Sequence, residues 1–495
     1  MKKLFFIAFL FVCAGVWAMP PRKGAFDEKG QTRDVEGRVI RAGVNPHERY
    51  IRQSIGGAPN LAPRGLVILV NFADVAFTTP RDTIDSMMNA NHFVRSYDYD
   101  YIYKDGEHYE GTIVASGSAK QYFRDQSYGA YNPVFDVVGP YTLSGNVSSY
   151  DDSGAGRMIK EACQLADANG ADFTLYDNDN DGNVDFVYVI YAGEGEADGG
   201  PSYTIWPHNW YLKTRWGITC VVDGKTIDNY ACSNEIQHWE QVYTGVGTFC
   251  HEFSHVIGLP DLYYTANSGT SPHTLNEWDI LDVGCYNNGG NTPPAYSAYE
   301  RFYCGWLTPR VLNETEYVWL SPIDNQKALL VCEGNSHNLV GYNPNPQTFY
   351  LLEVRTNTGW DEHLPGSGML ITKIQYDSYK WANNTVNNSA NAQGVDLIEA
   401  TPNTATGREQ WAYDTDAYPC GGNSWTSFAG HEVTNIVQHD DGRVSFIYRD
   451  ATPTEQVMVN DEQLAGSRKV LRNGQIYILR NGKTYDILGH ENHQL

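Results

Sequence analysis

Two histidines four residues apart, with a glutamate beside the first, open the stretch richest in potential chemistry: His251-Glu252-Phe253-Ser254-His255-Val256-Ile257-Gly258-Leu259-Pro260-Asp261. On a helix, residues i and i+4 share a face, so His251 and His255 can offer imidazole nitrogens to one Zn²⁺. Glu252 then reaches a water bound to that metal and can act as general base. Gly258 stands where such a helix must stop, because glycine adopts the left-handed C′ conformation without a Cβ penalty. The chain can turn back there and present Asp261 as a third, oxygen ligand. Three protein ligands leave a fourth position for water, the arrangement of a catalytic zinc rather than a structural one. The plainer reading is a buried amphipathic helix that happens to hold two histidines.

These residues need a scaffold. Residues 66–72 form a continuous apolar run, the mark of a strand buried on both faces. A helix is expected from Ser116, with Ala119, Tyr122, Phe123 and Gln126 on one side and Gly129 ending it. Residues 151–168 carry Met158, Ile159, Ala162, Leu165 and Ala166 at helical spacing, and residues 185–192 read as a second buried strand. Strands and helices alternate up to the histidine helix, which predicts an α+β or α/β domain over residues 63–310. Between the last helix and strand, Asp177, Asp179, Asp181, Asn183 and Asp185 place oxygens at alternate positions, with Gly182 at the turn. That is the first half of a Ca²⁺ loop, but Tyr188 stands where an EF-hand needs Glu, so the choice is a different Ca²⁺ site or an Asx-rich turn.

After residue 310 the character changes. Short apolar runs at 349–354, 369–374, 395–400 and 444–448, separated by Gly-, Asn- and Pro-rich loops, predict a β-sandwich over 311–450. The Asn-rich stretch 383–391 reads as a surface loop. Residues 451–495 read as a linker and a small C-terminal β-hairpin, signalled by Asn473-Gly474 and Asn481-Gly482 between apolar runs.

Composition narrows the function. The 495 residues carry a formal net charge of −24, which argues against nucleic-acid binding. Residues 1–18 read as a secretory signal: Lys2 and Lys3, an apolar run, then Val16-Trp17-Ala18 before the cut. No other stretch could span a bilayer, so the mature chain is expected outside the cell or at its surface, with monomer favoured. Residues 19–62, polar and rich in Pro, Gly and Arg, read as a pro-segment or N-terminal arm. Removing Cys13 leaves eight cysteines, an even number that permits disulfides in an exported chain. Cys220 and Cys232, flanking a hairpin that turns at Asp223-Gly224, are the first pairing to expect, and Cys250 could bridge to Cys285 or Cys304.

Taken together the residues resemble the immune inhibitor A type of secreted bacterial zinc metalloproteases, among the metzincins. Ser127-Tyr128-Gly129, Asp181-Gly182-Asn183-Val184-Asp185, Ile205-Trp206-Pro207-His208-Asn209-Trp210, the zinc motif, Trp278-Asp279-Ile280-Leu281-Asp282 and Leu364-Pro365-Gly366-Ser367-Gly368 are each similar to family motifs. The resemblance covers about residues 63–450. It implies an endopeptidase acting on proteins or peptides through a zinc-activated water, with Glu252 as base and His251, His255 and Asp261 as ligands. A gluzincin-type site would instead take Glu277 as third ligand. Two departures stand out. Leu281 replaces the methionine that packs beneath the metal, a volume-conserving swap. Val283 replaces a tyrosine able to donate to a developing oxyanion, a role for which His208 and Tyr286 are the substitutes to consider. The tail at 469–489 resembles C-terminal hairpins on exported Bacteroidetes proteins. The rival class is an exported adhesin or glycan-binding protein with a degenerate protease domain.

Overall fold

A computed structural model describes residues 17–19, 62–102, 107–151, 153–265, 272–402 and 411–449, with the backbone of 456–459, 467–472, 475–480 and 483–486. Most of the expected signal and of the 19–62 segment, and the two Asn-Gly turns of the tail, lie outside the described residues. The strands of the first region are β1 (Trp17–Ala18), β2 (Arg64–Asn71), β3 (Val94–Ile102), β4 (His108–Ser116), β5 (Val134–Thr142), β6 (Val187–Glu194), β7 (His208–Tyr211), β8 (Cys220–Val222), β9 (Lys225–Ile227) and β10 (Asn229–Ile236). Its main helices are α1 (Arg81–Asn89), α2 (Ala119–Gln126), α3 (Ala155–Ala168), α4 (Val246–Val256) and α5 (Ala298–Tyr303).

The central sheet runs β1-β7-β10-β6-β2-β5. β5, β2, β6 and β10 are parallel, β7 is antiparallel to β10, and β1 pairs antiparallel with β7. β2 and β6 sit in the middle, which is why their sequences are apolar at consecutive positions. α2 starts three residues later than its sequence suggests. Ser116 belongs to β4, and Ser118 caps the helix, its hydroxyl accepting from Gln121 N at 3.0 Å.

α4, the histidine helix, is buried along its whole length. Phe249 and Phe253 pack on Phe135, Phe186 and Tyr188, with the Tyr188 and Phe249 ring centroids 4.5 Å apart. On its other side Gly247 lets the helix meet the following turn: a Cβ there would stand 1.9 Å from Cys285 O.

Beyond residue 309 come β11 (Arg310–Val311), β12 (Glu316–Leu320), β13 (Leu329–Val331), β14 (Thr348–Arg355), β15 (Gly368–Gln375), β16 (Val395–Leu397), β17 (Val433–Gln438) and β18 (Val444–Tyr448). One sheet runs β11-β13-β14-β15-β16, and the second contains β17-β18-β12. Val318, Leu352, Val354, Ile371, Val444 and Phe446 form a core shared by the two sheets. The alternate residues of β14, Phe349 and Leu351, join the core of the first region instead, so this sheet is buried on both faces. The tail strands β19 (Gln456–Val459), β20 (Ser467–Arg472), β21 (Gln475–Arg480) and β22 (Lys483–Asp486) extend the second sheet, each of the last three antiparallel to the one before.

Two expectations are corrected. Asn384 and Asn387 of the Asn-rich stretch are 1% exposed, not on a surface loop. The eight cysteines from Cys163 onward are free thiols. Cys220 does begin a hairpin with Asp223-Gly224 at its turn, but Cys232 lies in β10 of the main sheet, its sulfur 3.6 Å from His208 Nδ1. Cys220 instead hydrogen-bonds the Cys163 thiol on α3.

Candidate metal and active site

Helical spacing puts His251 and His255 on one face of α4, and local carbonyls fix their orientation. His251 Nδ1 donates to Ile280 O at 2.7 Å and His255 Nδ1 to Leu259 O at 2.8 Å. Each ring therefore carries its proton on Nδ1 and turns the Nε2 lone pair inward, the tautomer a metal needs. Gly258, at φ +94°, reverses the chain and brings Asp261 back over the helix. Asp261 Oδ1 lies 3.2 Å from both Nε2 atoms, and all three side chains are fully buried.

Among the described residues these three make one of two clusters able to hold a metal, their ligand atoms within 4.8 Å of one another. His251 Nε2 and Asp261 Oδ1 have no hydrogen-bond partner although buried. Buried polar atoms left unmatched and converging on one point fit a cation. Burial would raise the Asp261 carboxyl, but the two histidines outweigh it and hold it below the usual range. Glu277, the rival ligand, is elsewhere: its Oε2 accepts from Ala412 N at 2.7 Å.

Glu252, one position past His251 on α4, is also fully buried. Burial, and after it the charge of Asp261, pushes its carboxyl well above the ordinary range. The turn at 279–282 closes the floor. Leu281, where the family pattern has methionine, is 0% exposed, and its carbonyl accepts from Leu262 N at 2.8 Å.

The remaining candidates divide. His208 Nδ1 donates to Trp206 O at 2.6 Å, and Nε2 meets Tyr230 OH at 3.0 Å. Burial lowers its imidazole to about 4. A neutral ring with both nitrogens engaged has no N–H left for a reacting group. Tyr286 is half-buried and neighbours Tyr263. Tyr263 is a residue the sequence reading passed over. Two positions past Asp261, its phenol is raised by burial and then by the nearby charges of Asp261 and Glu252. Its offset from the ligand was the signal available.

In the acidic loop, Asp177, Asp179 and Asp181 form the second cluster. Asp177 accepts from Asp181 N and Gly182 N, each at 3.0 Å, and from Lys225 Nζ at 2.6 Å. Asn183 and Asp185 stand outside the cluster. Asn183 donates to Asp181 Oδ1 at 2.9 Å, and Asp185 Oδ2 accepts from Asn178 N at 2.7 Å.

β1 runs along the edge of β7 opposite β10. Met19 N donates to Pro207 O at 3.2 Å, and Trp206 Nε1 donates to Met19 O at 3.1 Å.

Residues 60–306 match the family model for the immune inhibitor A peptidase M6 catalytic domain. The chain carries an M6 peptidase domain. It is 26% identical over 271 residues to the pre-pro-metalloprotease PrtV of Vibrio cholerae serotype O1, a match covering 48% of this chain and 29% of that protein. It is 26% identical over 276 residues to immune inhibitor A of Bacillus thuringiensis subsp. alesti, covering 47% of this chain and 38% of the relative. The chain thus spans about a third of the length of the curated relatives it matches. The M6 domain contains His251, Glu252, His255, Asp261 and Tyr263, while the two-sheet region and tail lie beyond it. Among the described residues no helix is long and apolar enough to cross a membrane.

Proposed function

We propose that the chain is a secreted zinc-dependent endopeptidase. The observation that carries this reading is the convergence of His251 Nε2, His255 Nε2 and Asp261 Oδ1 beside a buried Glu252 carboxylate. Zinc bound by the three ligands would polarise the substrate carbonyl and acidify a water. Glu252, one position along the helix from His251, would take the proton of that water and return it to the leaving amine. The edge of β7 is suited to the substrate main chain, since an extended segment, β1, already pairs with it. Cleavage after Ala18, the expected end of the signal, would take β1 off that edge. We read the two sheets after residue 309 as the β-sandwich and the tail strands as its appended hairpin. No observation favours the adhesin alternative.

Glu252→Gln tests the reading. Gln keeps the size and can still hydrogen-bond water, but cannot take up the proton. Casein hydrolysis is expected to fall by roughly 10²–10⁴-fold with zinc content unchanged. Near wild-type turnover with zinc bound would sink the mechanism.

For the loop around Asp177 we propose Ca²⁺, supported by three carboxylates with oxygens in reach of one ion. Lys225 neutralises Asp177 there, so the ion would displace an ammonium. The melting temperature should rise on adding Ca²⁺ to chelator-treated protein. An unchanged value would mean that Lys225 suffices and the loop is only a turn.

A further inference from the structure

We infer that Asn384, contributed by the region beyond the M6 domain, is a positioning residue that fixes which oxygen of Asp261 faces the two histidines. The inference rests on the zinc reading above. Asp261 N donates to Asn384 Oδ1 at 2.6 Å, and Asn384 Nδ2 donates to Asp261 Oδ2. One side chain thereby holds both the main chain and the outer carboxylate oxygen of the same residue. Both residues are 1% exposed, so water does not compete for these bonds. The inner oxygen, Oδ1, is left without a hydrogen-bond partner, 3.2 Å from each imidazole Nε2.

A carboxylate has two equivalent oxygens and a soft terminal torsion. With one oxygen occupied by a donor, rotation is blocked and the other becomes the single ligand atom. Asparagine suits the task because its amide offers an acceptor and a donor on one rigid fork. It also tolerates the φ of +49° found at this position. Aspartate would set carboxylate against carboxylate, and glutamine would be one methylene too long.

The neighbouring residues make the clamp firm. Asn387 Nδ2 donates to Leu262 O at 2.6 Å and to Val395 O at 2.8 Å, and Val395 N donates to Asn387 Oδ1 at 3.0 Å. The segment after Asp261 is thus fastened to β16 of the second region. The metal site is shaped by residues outside the span 60–306 matched by the family model.

The test uses the full chain with Asn384→Ala and Asn384→Gly. Glycine accepts the left-handed backbone without strain, so that variant removes the side chain alone. Zinc affinity is read by competition with a chromophoric chelator, and melting temperature is taken with and without zinc. Partners of this kind change metal affinity by roughly 10–100-fold, and a weakening of that size is expected in both variants. The gap between zinc-loaded and zinc-free melting temperatures should narrow with it. A merely structural role would lower both melting temperatures together and leave the affinity alone. That result, or zinc binding by Asn384→Gly within about threefold of wild type, overturns the inference. A wild-type chain that takes up no zinc overturns the metal reading itself, which separates the two failures.

Discussion

Burial on α4, and after it the charge of Asp261, pushes the Glu252 carboxyl well above the ordinary range. The histidines beside it differ in kind: their Nδ1 protons are spent on carbonyls, so their Nε2 lone pairs turn toward Asp261. Tyr263 adds a phenol that burial keeps protonated, hence a donor, within the field of both Asp261 and Glu252. Tyr263→Phe removes only that donor. Turnover should drop by roughly 10²-fold, the usual cost of one oxyanion donor, with KM and zinc content little changed. Unaltered kcat would show that the phenol only packs there. The four residues of the HExxH motif and its Asp261 extension were legible because their spacing is local. Tyr263 was missed because its offset from Asp261 gains meaning only once the reversal at Gly258 brings it near Glu252.

Among the elements, β14 sets the join between the M6 domain and the region that follows. Its alternate residues serve two cores, and Arg355 at its end is 1% exposed. Arg355 Nε donates to Asp361 Oδ2 at 2.7 Å and Nη1 to Glu353 Oε1 at 3.1 Å. Nη2 donates to Ala295 O at 2.9 Å and Nη1 to Trp278 O at 3.4 Å, fastening the chain just before the turn at 279–282. Arg355→Ala would leave Asp361 and Glu353 buried without their countercharge. A loss of about 3–5 kcal/mol is expected, seen as a lower urea midpoint. Arg355→Lys should recover only part, because an ammonium lacks the planar fork. A midpoint within error of wild type for the alanine variant would mean that the network is dispensable.

On the scale of the whole molecule, the two regions also meet at His273. Its Nδ1 lies 2.7 Å from Glu399 Oε1, with side-chain exposures of 5% and 19%. Burial alone would lower the imidazole, but the hydrogen bond and charge of Glu399 outweigh it and raise it. A raised folded value means that the pair's contribution is fully present below the unfolded value of about 6.5 and is lost as pH climbs through the folded one. The stability difference between wild type and His273→Gln should therefore be largest below pH 6.5 and shrink as the pH is raised above it. Thermal melts over a pH series decide it, and a difference independent of pH would mean that His273 contributes packing only.

The sequence by itself determined the cluster of His251, His255 and Asp261, the buried strands β2 and β6, the helix α3 and the hairpin that turns at Asp223-Gly224. Each of these is written in residues a few positions apart, and periodicity or turn chemistry reads them directly. Tertiary structure decided the rest. Asn384 lies 123 positions from Asp261, and nothing local marks it as more than loop. His208 sits in a motif-like stretch, yet its ring nitrogens are taken by Trp206 and Tyr230 once β7 pairs with β10. Cys220 meets Cys163 rather than Cys232 because the β8–β9 hairpin packs on α3. Contacts between distant segments depend on how whole elements pack, and a single chain of letters carries that information only through the fold.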